Sequence, residues 1–528
     1  MSMLQSRSAA RLENESQHLN GHLQQNQQQH LLSDFVLRTL YLILGTGTLF
    51  AYNVFMSCTD YFNSAIPEEL NVSGQMATYQ LTFMFLSTIL LLPFTKGTDR
   101  IRATKKNDDI TTTKISLCIR NAKRWMTLHS PTNRLLYGFI FTFLFLLAYL
   151  ILPSSAITSS TLNLFSTFVG IADATIQSGL YILAATYNKP TLSAAASLGG
   201  ALSGFIASLL RLMTRGMFDT ESTEGLRKGA NLLISFAFCF SIILIGSVVV
   251  IKRDLKTRHE IAATLTNNEI QSVDESEVDA NIHGQTKENK SGVCKNLWAL
   301  GNIYWNTFLL NWKPIVSVFV NFFITLSLFP GVTLDIPSSG GSLSLGNWLP
   351  VVLITVFNGA DCAGRYVLLN ERMLPYRLLM AKMNDNEPQV LVQIVEQAGD
   401  SSMHDDDLRP IPVLQNRVRH GHKTLMHYDK LVWWPTFGRI IFFPIISICI
   451  LPSDGPIIVN DILKCAVIFA FGASNGFIQC ANFTVAPTLV DTEHARNAVS
   501  MILLLSIYSG LSTGAFFGLL VEKIIREW

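Results

Sequence analysis

Asn358, Asp361 and Arg365 interrupt an apolar run, in the stretch TVFNGADCAGRYVLL (355–369). A helix turns about 100° per residue. Steps of three, four and seven therefore put all three side chains on one face. Asp four residues ahead of Arg is the favourable order for a helical ion pair. A carboxylate accepts hydrogen bonds, a guanidinium donates them and an amide does both. Such a set suits the holding of a polar ligand. A lone charge at mid-bilayer costs at least about 2.5 kcal/mol, and ionisable groups there are functional candidates by default. The triplet reads either as a static lock between helices or as the lining of a polar pathway.

Two other apolar runs carry polar groups at similar depth. Tyr52 and Asn53 lie within GTLFAYNVFMS, and Asp173 and Gln177 lie one turn apart in IADATIQSGLY. An aromatic ring stacks on a flat heterocycle. Gln177 offers ring nitrogens one donor and one acceptor, Asp accepts from hydroxyls, and Arg donates. Taken singly, Tyr52 or Gln177 reads as packing between helices. Their joint occurrence with the triplet favours a site.

The elements that position these residues are long and apolar. Of 528 residues, 49% are hydrophobic and 15% charged, with a mean hydropathy of +0.32. A soluble chain carries about 25% charged residues. Apolar runs lie near 36–58, 74–95, 133–153, 160–186, 191–214, 229–251, 314–334, 347–369, 431–452, 461–485 and 497–521. Each approaches or exceeds the ~20 residues that cross a hydrocarbon core as helix. The expectation is an all-α membrane protein with eleven transmembrane helices. Lys189 and Pro190 mark a tight turn between the fourth and fifth. The basic segment KGTDRIRATKKNDDITTTKISLCIRNAKRW belongs on the cytoplasmic side. The N-terminus is then cytoplasmic and the C-terminus extracellular or luminal.

The expected organisation is a disordered tail (1–34), a six-helix half (35–252), a cytoplasmic linker (253–312), helices seven and eight (313–369), a cytoplasmic insert (370–429) and helices nine to eleven (430–528). The Gln-rich N-terminal segment has no apolar core of a signal peptide. Asn71, in the sequon NVS of an outer loop, is the expected glycosylation site. The eight cysteines are scattered without CxxC or His partners, so no metal site and no disulfide framework is expected. There is no P-loop, which speaks against ATP-driven transport. Glycines four apart, at 200 and 204 and at 510, 514 and 518, mark close helix packing.

These residues resemble the equilibrative nucleoside transporter family. GTGTLFAYNVFMSCTDYF is similar to its first span, SLFPGVT to its seventh and FNGADCAGR to its eighth-span signature. WWPTFGRIIFFP, FAFGASNGF and GLSTGAFF are similar to its ninth, tenth and eleventh. The resemblance covers nearly every span and misses the tail and both inserts. It implies a major-facilitator-like 6+5 arrangement with a central site between two halves, and passive alternating-access transport of nucleosides, with nucleobases as a further substrate class. It places Tyr52 beside the base with Leu49, Asn53 and Met56 as neighbours, and Gln177 on the base. Asp361 and Arg365 hold sugar or base with Asn358 beside them, and Leu511 lines the cavity. Arg439 matches a family arginine that serves gating or packing. Ala51 and Tyr52 replace the family's Pro-Trp. Asp173 replaces a small residue; it either pairs with an arginine such as Arg211 or is a protonatable group that couples transport to protons. The 370–429 insert is longer than the family's.

The leading expectation is a membrane transporter of nucleosides, mainly facilitative, without cofactors, nucleic acid or partner chains. It would act as a monomer at the plasma membrane, with an endosomal or lysosomal membrane as the second choice. An organic-cation or proton-coupled purine carrier of the same family is the alternative, followed by a non-transporting receptor or scaffold. No nucleophile–base set suggests an enzyme.

Overall fold

The computed structural model describes residues 32–66, 72–94, 130–153, 156–187, 189–219, 222–273, 293–338, 344–380, 428–451 and 456–527. These residues are helical, with turns and no strand among them. The helices are α1 (Asp34–Ser57), α2 (Val72–Leu91), α3 (Pro131–Ile151), α4 (Ser159–Thr186), α5 (Pro190–Met217), α6 (Thr223–Val273), α7 (Val293–Leu328), α8 (Leu349–Leu369), α10 (Asp461–Val485) and α11 (Glu493–Glu527). The broken segment at 429–447 is α9. Asn71, the tail before residue 32, residues 274–292 of the linker and residues 381–427 of the insert lie outside the described residues.

Local chemistry sets the boundaries. Side chains of Ser33, Ser130, Thr158 and Asn460 accept from the first free amides of α1, α3, α4 and α10, as N-caps do. Pro131 and Pro190 open α3 and α5, where the missing N–H costs nothing. The expected turn before Pro190 is present, with Lys189 at the N-cap of α5. Both long central helices run into the linker: α6 continues to Val273 and α7 begins at Val293. α7 kinks at Asn311, three residues before Pro314, whose ring cannot extend the hydrogen-bond ladder.

Nine helices among the described residues are long and apolar enough to cross a membrane. The other two expected runs hold α2, which is 20 residues long, and α9. The sequence reads as one apolar run near 431–452, but Pro435 and Pro444 divide it. A π turn, an α turn and a 3₁₀ turn follow one another before the last helical piece.

The helices pack as two halves with one pattern. α1 lies on α5 and α2 on α4, as α7 lies on α11 and α8 on α10. Between the halves, α5 meets α8 and α11 meets α2. In the first half α6 covers α1, α3 and α5. The second half has no such helix among the described residues. Its place is an open apolar groove of about 530 Å³ lined by Phe319 and Phe323 of α7, Phe437 and Phe443 of α9, and Phe517 of α11.

Glycines let backbones touch where the site is held. A Cβ at Gly199 of α5 would lie 2.2 Å from the Leu42 carbonyl oxygen of α1, and one at Gly45 2.3 Å from that of Ala196. Gly510 and Gly514 face the backbone of α7 likewise. Gly200, by contrast, faces Arg365 of α8. Overpacking a seam costs about 1–3 kcal/mol or more. Gly199→Val is expected to reduce folded protein in the membrane at least several-fold, read by blotting and detergent gel filtration. Wild-type abundance would refute this reading of the α1–α5 seam.

Candidate functional site

α8 stands between its own half and the other. Gly364 of α8 and Gly472 and Gly476 of α10 bring those helices into backbone contact; a Cβ at Gly476 would lie 2.0 Å from the Asp361 carbonyl oxygen. On this seam Arg365 donates through Nη2 to Asp361 Oδ2 at 2.7 Å. The i,i+4 pair expected from spacing is therefore formed, with both residues buried. Arg365 Nη1 also donates to the Ser197 carbonyl oxygen of α5 at 2.7 Å. Asn358 Nδ2 donates to the Gly204 carbonyl oxygen of α5 at 3.3 Å. Two members of the triplet thus reach across to the first half. The triplet has features of a lock and of a site: Arg365 Nε is buried with no hydrogen-bond partner among the described residues.

Behind Asp361 runs a network that spacing did not reveal. Asn475 Nδ2 of α10 donates to Asp361 Oδ1 at 2.8 Å. Asn475 Oδ1 accepts from Asn321 Nδ2 at 2.9 Å and from Thr325 Oγ1 at 2.8 Å, both on α7. Arg439 of α9 is 2% exposed and lies on the same group. It donates to the Asn321 carbonyl and side-chain oxygens, to Thr325 Oγ1 at 3.0 Å and to Ser474 Oγ at 3.1 Å. Its guanidinium also sits 4.7 Å from the Phe471 ring centroid, in cation–π range. Four helices of the second half are tied to one carboxylate. Asn475 was visible only as part of FAFGASNGF, and Asn321 carried no sequence signal.

The first half contributes a face of α1. Leu49, Tyr52, Asn53 and Met56 recur at helical spacing, and all four are half-buried. Asn53 Nδ2 donates to Ser203 Oγ of α5 at 2.8 Å. Leu511 of α11 packs against the apolar core that includes Leu180 and Tyr508. Gln177 is 5% exposed and its Nε2 has no partner among the described residues. Asp173 does not pair with Arg211. Gln80 of α2 donates to it at 3.1 Å, while Arg211 pairs with Asp60 beyond the end of α1. Sequence distance concealed both partners. No group of His, Cys, Asp and Glu among the described residues could hold a metal ion.

Contacts between the halves also occur at the ends of the helices. Arg38 of α1 pairs with Glu371 after α8. At the opposite end the Arg215 guanidinium of α5 lies 5.5 Å from the Trp348 ring centroid. Tyr181 of α4 meets Phe483 of α10 with ring centroids 4.4 Å apart.

Buried charges lie on the seam of two like helical halves, in a multi-pass membrane protein of long apolar helices. Residues 164–380 match the family model described as Nucleoside transporter. Equilibrative nucleotide transporter 7 of Arabidopsis thaliana is 25% identical over 345 residues, 63% of this chain and 72% of that protein. Equilibrative nucleotide transporter 8 of the same plant is 21% identical over 92% of this chain and 94% of its own. Equilibrative nucleoside transporter 4 of Danio rerio is 22% identical over 39% of this chain and 28% of its own. Over residues 164–380 the chain is thus similar to the nucleoside transporter family. Among solved structures, the Major Facilitator Superfamily transporter FucP in its outward conformation aligns over 93% of this chain, with 10% identity and a TM-score of 0.39.

Proposed function

We propose that this chain carries nucleosides across the membrane by facilitated alternating access, without a cofactor and without catalysing a reaction. The observation that carries this reading is the Asp361–Arg365 pair. It is buried on the seam between the halves, fixed behind by Asn475 and in front by Ser197, and leaves Arg365 Nε unpaired. A pair bridging two halves can report a ligand to both of them. Gln177 and the α1 face of Leu49, Tyr52, Asn53 and Met56 would meet the base, Asp361 and Arg365 the hydroxyls, with Asn358 and Leu511 bordering the cavity. α2 and α9 complete an eleven-span 6+5 arrangement with the N-terminus cytoplasmic. The protein works as a monomer in the plasma membrane and carries a glycan on Asn71.

A proton-coupled or cation-carrying variant of this function has one observation in its favour. Asp173 is 1% exposed, and its Oδ1 has no partner among the described residues. Uptake of labelled adenosine and uridine in cells lacking their own nucleoside carriers, at pH 5.5 and pH 7.5, separates the readings. Saturable uptake indifferent to pH supports the facilitator. A several-fold rise at pH 5.5 that Asp173→Asn removes would replace it with proton coupling. Absent nucleoside uptake alongside monoamine uptake would replace it with the cation carrier.

A further inference from the structure

α4 and α10 carry one motif at one constant separation. GIADATIQSGLY (170–181) aligns with GASNGFIQCANF (472–483), so that Gly170 matches Gly472, Asp173 Asn475, Ile176 Ile478, Gln177 Gln479 and Tyr181 Phe483. The structure gives the matched residues matched places. A Cβ at Gly170 would lie 2.5 Å from the Gln80 carbonyl oxygen of α2, and one at Gly472 2.5 Å from that of Phe357 of α8. Asp173 bonds to a side chain of α2 and Asn475 to one of α8. The pairing that repeats between the halves is thus repeated residue by residue along these two helices.

Tyr181 and Phe483 are the matched pair whose rings meet across the halves. Residues four apart share a helix face. Gln177 and Gln479 each precede a ring of that contact by four. They therefore flank the seam together, one turn from the ring contact. Each is 5% exposed, and each amide has one end, Nε2 in Gln177 and Oε1 in Gln479, with no partner among the described residues. A buried amide end left unpaired costs about 1–3 kcal/mol, and a ligand that pairs it recovers that cost.

We propose that Gln479 is a second substrate-binding amide, opposed to Gln177, and that together they clasp a flat heterocycle with donors and acceptors on its edge. This rests on the nucleoside reading above. Gln177 was legible as one contact to the base; Gln479 makes the recognition two-sided and places half of it on the second half. Closing the halves on the base then brings both amides to bear, with the Tyr181–Phe483 contact as the floor.

The test compares wild type, Gln479→Leu and Gln479→Glu in the full chain, with membrane abundance measured in parallel. Labelled adenosine presents an exocyclic amine and labelled inosine a carbonyl in its place. Gln479→Leu is expected to raise the half-saturation constant about tenfold, the worth of one buried hydrogen bond. Gln479→Glu, nearly isosteric, retains an acceptor and loses the amide donor. It is expected to change the adenosine-to-inosine ratio of half-saturation constants at least several-fold. If the leucine variant does not reach the membrane, the ratio in the glutamate variant decides. Unchanged constants and ratio in variants of a wild type that transports both nucleosides would overturn the role of Gln479 alone. A wild type that takes up neither nucleoside would overturn the nucleoside reading and this inference with it.

Discussion

Uptake is expected to fall at least a hundredfold in Asp361→Leu, in Arg365→Leu and in the double variant of both. The three should differ in abundance. Removing one partner of a buried pair leaves an uncompensated charge, which costs about 3–5 kcal/mol. Asp361→Leu strands Arg365 and the Asn475 amide, and Arg365→Leu strands the carboxylate. Replacing both partners by apolar groups is often neutral or stabilising. The double variant is therefore expected to recover folded protein in the membrane relative to either single variant, and to remain inactive. Radiolabelled uptake normalised to membrane protein reads both quantities. A double variant that transports at near wild-type rates would make the pair a structural lock and end its assignment as a site.

Arg439→Ala is expected to lower the maximal uptake rate at least tenfold, with a smaller change in the half-saturation constant. Arg439 touches Asn321, Thr325 and Ser474, and through Asn475 it fixes Asp361. It is a positioning residue. Its truncation leaves several buried acceptors unpaired at about 1–3 kcal/mol each, so some protein will be lost. Arg439→Lys keeps the charge but not the planar fork that reaches α7 and α10 together, and should restore abundance before it restores rate. A lysine variant with full rate would show that only the charge matters. An alanine variant with full rate would remove Arg439 from the working of the site.

The sequence disclosed what depends on spacing within one helix. Asn358, Asp361 and Arg365 share a face because of their intervals, and the structure forms the Asp361–Arg365 pair at 2.7 Å. Leu49 and Met56 came from the family resemblance rather than from spacing, and α1 brings them to the same side as Tyr52 and Asn53. What depends on contact between distant helices was out of reach. Asp173 faces Gln80 rather than Arg211 because α2 lies on α4, and no local pattern states that. The Asn475–Asp361 bond likewise needs the crossing of α8 and α10. The run near 431–452 looked like an ordinary span. Its two prolines were visible, but their effect, a broken α9 that holds Arg439 inside, appears only once the pieces are laid out. The likeness of α4 to α10 was legible in principle. Five matched residues in a dozen stand out only when the structure shows both helices performing one task.

The apolar groove on α7, α9 and α11, where no described helix matches α6, makes the two halves unequal. α6 sheathes α1, α3 and α5, so polypeptide insulates the first half's share of the site. On the second half the five phenylalanines of α7, α9 and α11 are covered by no described helix. Arg439 lies on α9 between Phe437 and Ile440, two of the residues that line this groove. The carboxylate on the seam is thus wired, through one arginine and two asparagines, to a wall that no described helix covers. Pressure on that wall reaches Asp361 through Arg439, Asn321 and Asn475.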